Sequence, residues 1–369
     1  MIAPAAFEDL TFPEQALQYW TKYEFNQWSR AGLNYFNSGS NTITYTTASL
    51  LHTGLGGVAG GALAKNGKLY LGTYGASNVW TLDTLTDVTA SIGSFSNNCQ
   101  SVFYNAFTNK AYFVVDGFVK VVDCVDDSVQ SISLPFAGQA IGYGVSLDAN
   151  YAYVNNFFAS QNIATVNMNA TGSTTSFSGA FSGDPLKGTM GWDNKMYMGC
   201  GGGSTGIKVY DPATNTVANL TVPGVGNTSD SYRDIVQHYD GYLYSFPAYN
   251  SGYSIIKIDP TTSTITKPIS LTDPRTFSLC VGADGRIYGI GNGDATDYGV
   301  LIYDTKQNTY ELESISQTKN WRLIIMGAKG DLYLFNTAGE CWKKTCINNG
   351  GTIKALEEYN GIVSRFQTT

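Results

Sequence analysis

Asp284-Gly285-Arg286-Ile287-Tyr288 couples a turn pair that accepts positive φ to a short apolar strand carrying a tyrosine. The same phase recurs at Lys68-Leu69-Tyr70, Lys110-Ala111-Tyr112, Tyr151-Ala152-Tyr153, Lys195-Met196-Tyr197, Tyr242-Leu243-Tyr244 and Asp331-Leu332-Tyr333. The seven tyrosines stand 42, 41, 44, 47, 44 and 45 residues apart. A period in the forties leaves room for several strands per unit, and a four-stranded sheet has two apolar faces that only neighbouring units can bury. The expectation is an all-β chain, a seven-bladed β-propeller of four-stranded antiparallel blades.

Within a unit the strands are named A to D. In the first, strand A runs through Gly61-Ala62-Leu63-Ala64, Asn66-Gly67 turns the chain, strand B is Leu69-Tyr70-Leu71 and strand C is Val79-Trp80-Thr81-Leu82. The A–B turn recurs as Asp193-Asn194, Asp240-Gly241, Asp284-Gly285 and Lys329-Gly330, which predicts two-residue hairpins. Strand C ends on Asp83, Asp123, Asn167, Asp211, Asp259 and Asp304, whose side chains can bond the next backbone amides and turn the chain. In the form Val209-Tyr210-Asp211-Pro212-Ala213-Thr214-Asn215 the chain resembles the kelch-like class of propellers over about residues 57–360. The resemblance implies the fold and transfers no functional residue.

Residues 1–50 fall outside the repeat and read as an N-terminal arm, with the propeller over 51–369. Thr11 and Glu14 form a capping box around Pro13, and an apolar stripe follows to Ala31, with Gly32 as a stop, which predicts a helix over about 12–31. Trp20, Tyr23, Trp28, Tyr35 and Phe36 make the arm aromatic on more than one side, as a latch on the propeller or a contact to another subunit requires. Ring closure is assigned either to Thr42-Ile43-Thr44-Tyr45 or to Thr352 to Glu357.

Charged residues make up 14% of the chain, so its surface is dressed with neutral polar groups, as in lectins, adhesins and virus surface proteins. A net charge of -7 argues against nucleic acid, whose binding draws on clustered Lys and Arg. The N-terminus reads as unprocessed, without the basic and apolar regions of a signal peptide, and no membrane insertion is expected. The six cysteines form no CxxC pair, and no metal or cofactor is expected.

The candidate site lies where strands B and C, and D and A, are joined. The B–C loops are long and rich in Asn, Gly and aromatics, among them Tyr249, Tyr253 and Tyr298. Arg233, Arg275 and Arg322 precede the strand-B tyrosines by 11, 13 and 11 residues, with Lys187 placed alike and Tyr232 and Trp321 beside them. Convergent guanidiniums grip a carboxylate or sulfate, whereas pairing with adjacent aspartates would make them structural. With only His52 and His238, catalytic constellations have little to draw on. The leading expectation is a non-enzymatic structural and binding protein of a virion (phage tail, spike or capsid-associated). Its arm would contact other subunits, and its loop face a protein or host receptor. The alternatives are an extracellular carbohydrate-binding propeller or polysaccharide lyase, and a cytosolic kelch-type scaffold.

Overall fold

The computed structural model describes residues 43–95, 98–105, 108–115, 117–134, 144–146, 151–155, 163–167, 174–177, 184–191, 193, 195–201, 206–223, 231–238, 240–249, 254–271, 276–291, 299–315 and 320–348. These residues form seven four-stranded antiparallel sheets and one two-stranded ribbon. The first sheet contains Val58–Leu63, Lys68–Thr73, Asn78–Asp83 and Val88–Ser94 in sequence order, and the next five repeat that meander. Their inner strands are Cys99–Asn105, Gly144–Ser146, Asp184–Met190, Ser231–Gln237 and Ser278–Val281. The seventh inner strand is Trp321–Met326. Each inner strand packs against the next, and the seventh packs against the first. The protein is a β-propeller.

Ring closure differs from both sequence assignments. The outer strand of the seventh sheet is Ser49–His52, paired antiparallel with Cys341–Lys344, so residues near the start of the chain complete the last blade. Ile43–Tyr45 forms the separate ribbon with Cys346–Asn348 instead. Tyr45 fixes that ribbon to two sheets: its hydroxyl donates to the Gly330 carbonyl at 2.7 Å and accepts from the Ala283 amide at 2.8 Å. Thr352 to Glu357 and the predicted helix lie outside the described residues, which contain no helix.

Burial follows the repeat. Apolar residues collect in slabs between sheets rather than in one centre: Tyr70, Val79, Tyr104 and Phe113 join sheets one and two, while Leu69, Leu71, Leu323 and Phe335 join seven and one. Cys99, Cys124, Cys280, Cys341 and Cys346 are free thiols, and burial pushes those of Cys99 and Cys280 up to about 12. They are packing residues, not nucleophiles.

The A–B turns are one residue longer than the two-residue expectation. The Gly67 amide donates to Ala64 and the Ala64 amide to Lys68, giving a three-residue loop. The same pair of bonds recurs at Gly241, Gly285 and Gly330. All four glycines have φ between 77° and 87°, the left-handed position that closes such a loop.

The C–D turns act as the sequence implied. Asp83, Asp123, Asp211, Asp259 and Asp304 each accept the amide two residues on, at 2.8–2.9 Å. Four residues after each aspartate the chain passes through positive φ, at Asp87, Asp127, Asn215, Ser263 and Asn308.

Candidate functional site

The tyrosines that define the repeat point to the turn face. Tyr197, Tyr244 and Tyr288 donate to the carboxylates of Asp193, Asp240 and Asp284, four residues earlier in their own A–B turns, at 2.9, 2.7 and 2.6 Å. Tyr70 and Tyr333 reach into the following sheet instead, donating to Asp127 at 2.8 Å and Asp87 at 2.7 Å. Lys343 joins Asp87 at 2.7 Å and Asp331 at 2.8 Å, so charged hydrogen bonds reinforce the junction of sheets seven and one. Both histidines are spent on structure as well. His238 is fully buried, its Nε2 2.7 Å from the Gly285 carbonyl and its Nδ1 accepting the Asp240 amide, while His52 Nε2 lies 2.7 Å from the Asp87 carbonyl.

The opposite, loop face has a different construction. Inner strands A of sheets one, two, four, five and seven are interrupted by β-bulges at nearly the same height. The extra residues are Ala59, Gln100, Leu186-Lys187, Arg233-Asp234 and Arg322. A bulge breaks the alternation of a strand and re-aims a side chain, and here it does so at the rim of the ring.

Three of these residues are cations, and they converge. The guanidinium carbons of Arg233 and Arg322 lie 4.4 and 5.5 Å from the ring centroid of Phe277, which is buried just before the sixth inner strand. Lys187 Nζ stands 3.8 Å from Asp234 Oδ2. Burial holds the Lys187 ammonium below its ordinary range; Asp234 opposes that shift, and Arg322 and Arg233 add to it. Residues of sheets four, five, six and seven therefore meet in one place.

Asp234 is the hub of this cluster. Its Oδ2 accepts the Leu279 amide at 2.9 Å and its Oδ1 the Ile235 amide at 3.0 Å, and Ser278 bonds the same carboxylate. Ser278 Oγ in turn accepts the Ile324 amide at 3.3 Å, extending the chain of bonds to the seventh sheet. Burial raises the Asp234 carboxyl above its ordinary value, against the opposing pull of Lys187 and these donors. Backbones also close up here: a methyl group on Gly199, opposite the Lys187 bulge, would overlap the Tyr232 carbonyl oxygen.

Of the residues singled out in the sequence, Arg233, Arg322 and Lys187 come together. Tyr232 and Trp321 flank them inside the inter-sheet packing: the Tyr232 hydroxyl donates to the Ser254 carbonyl at 3.2 Å, and Trp321 packs edge-on against Trp342. Arg275, Tyr253, Tyr298, the side chain of Tyr249 and the arm aromatics Trp20, Tyr23, Trp28, Tyr35 and Phe36 lie outside the described residues. Phe277 and Ser278 were not foreseen, because nothing in the local sequence says that sheets five and seven approach them. Among the described residues, no group of three or more His, Cys, Asp or Glu is placed to hold a metal ion, and no helix is long and apolar enough to cross a membrane.

No protein-family model and no curated protein matches the sequence. Solved structures do match in fold. Virginiamycin B lyase from Staphylococcus aureus superposes with a TM-score of 0.69 at 13% identity, covering 82% of this chain and 99% of that one. A streptogramin B lyase gives 0.68 at 15%, covering 82% and 98%. The WD40 propeller domain of Doa1 gives 0.61 at 14%, covering 81% and 97%. At these identities the likeness is one of fold, shared by two lyases and a WD40 domain alike.

Proposed function

We propose that the protein is a non-catalytic binding element of a larger assembly, a closed seven-bladed ring that presents its loop face to a partner or receptor. The observation that carries this reading is the inequality of the two faces. On the turn face tyrosines, aspartates and histidines are consumed in repeated structural bonds, whereas the loop face departs from the repeat and gathers cations at the rim. The sparse charge of the surface supports a place in a particle, and a virion component is the assembly we propose, with the part of the expected arm that precedes Ile43 meeting neighbouring subunits, since Ile43–Tyr45 and Ser49–His52 belong to the ring. Mass spectrometry of purified particles from the source tests this. Recovery of the chain in fixed proportion to the other particle proteins is the expected result, and its absence from particles overturns the assembly role.

A second reading, a lyase, is favoured by the fold likeness to two enzymes of that kind. Incubation of the purified protein with virginiamycin B, followed by mass spectrometry, separates the two readings. A binding element leaves the compound intact, and a product distinguished from it by chromatographic retention and fragmentation establishes the lyase, since an elimination within one ring leaves the mass unchanged.

A further inference from the structure

We propose that Lys187, beside Asp234, and Arg233 and Arg322, both resting on Phe277, form a binding site for a compact oxyanion, the carboxylate, sulfate or phosphate group of a ligand. The inference deepens the loop-face reading above and rests on it. The fold does not require cations at these positions, since the bulge residues of sheets one and two are Ala59 and Gln100. Sheets four, five and seven nonetheless bring three positive groups together, against mutual repulsion strengthened by burial.

Their surroundings anchor the cations. Phe277 attracts both guanidiniums through its ring face, which holds them in place. Asp234 is already engaged by two amides and Ser278, and it meets Lys187 at 3.8 Å, longer than a direct charged hydrogen bond. Arg322 Nε is buried and has no hydrogen-bond partner among the described residues. A buried donor without a partner is costly, and an oxyanion seated between the cations would satisfy it while relieving the repulsion.

The test is thermal unfolding of the full-length protein in chloride, then in sulfate, phosphate or acetate at matched ionic strength. The site predicts a saturable rise in Tm with at least one oxyanion, and the responding arm identifies the group. Sulfate and phosphate also stabilise proteins by exclusion from the surface, but that effect does not saturate and is the same in every variant. Arg322→Met should raise the half-saturating concentration about 10- to 100-fold, Arg322→Lys should restore part of it, and Arg286→Gln on the turn face should leave it unchanged. In chloride alone, Arg322→Met should unfold at a temperature no lower than the parent's, because like charges have been thinned. Oxyanions that act no better than chloride, or a half-saturation unmoved by Arg322→Met, overturn the site. A response lost in Arg286→Gln but kept in Arg322→Met overturns the choice of face as well.

Discussion

The two faces of the ring use the same kinds of side chain to opposite ends. On the turn face, Tyr288 meets Asp284, Arg286 meets the same carboxylate, and the pattern is repeated with small changes at Tyr244 and Tyr197. On the loop face, Asp234 meets backbone amides from two sheets while the arginines beside it rest on an aromatic ring. Repetition marks the turn face, and departure from repetition marks the face proposed above for binding. A residue's neighbours in the repeat therefore say more about its role than its chemical type does.

The largest effect expected from breaking this contrast is at the seam of the turn face. Tyr333 is fully buried and reaches from sheet seven to Asp87 of sheet one. Tyr333→Ala should cost about 3–5 kcal/mol, as for other buried aromatics, measured by urea unfolding. Gly199→Ala sharpens the other side of the comparison. Forcing a methyl against the Tyr232 carbonyl should cost about 1–3 kcal/mol, and should disturb the Lys187 bulge that lies opposite.

Smaller, but opposite in sign between the faces, is the dependence on pH. At Asp87, burial pushes the carboxyl up, yet the hydrogen bonds from Lys343 and Tyr333 outweigh it and leave it below the ordinary 3.8. Its contribution is therefore full above pH 3.8 and lost as pH falls through the lower folded value. At Asp234, burial leaves the folded value above 3.8, so the native state holds its proton longer than the unfolded chain does. Stability from this group is then gained on acidification and declines as pH rises from 3.8 through the folded value. Asp87→Asn should flatten the loss in acid, and Asp234→Asn should flatten the decline on the alkaline side of 3.8. Unfolding free energies measured across that range for the two variants check both signs.

What the sequence made legible follows the same division. The tyrosine period and the strand-C aspartates are local signals: Asp240 and Tyr244 lie four residues apart and bond each other, so recurrence exposes them. The similar distances of Lys187, Arg233 and Arg322 from those tyrosines, 10, 11 and 11 residues, placed them at one end of strand A. Nothing local disclosed the bulges that bring them together, nor Phe277 beneath two of them, because those contacts join separate sheets. Ring closure by Ser49–His52 was hidden for a related reason, since its partner Cys341–Lys344 is almost three hundred residues away and follows a departure from the strand-C pattern. The third residue of each A–B loop was also missed, because Asn-Gly and Asp-Gly pairs serve two- and three-residue loops alike.

The most direct measurement of the contrast is a paired urea-unfolding experiment on Tyr288→Phe and Arg322→Met in chloride buffer at neutral pH. Removal of the Tyr288 hydroxyl, which donates to a buried carboxylate, should lower stability by about 1.5–3 kcal/mol. Removal of the Arg322 charge should leave stability unchanged or increase it. A loss at Arg322 as large as that at Tyr288 would mean that the loop-face cations hold the ring together as the turn-face tyrosines do, and would contradict the account.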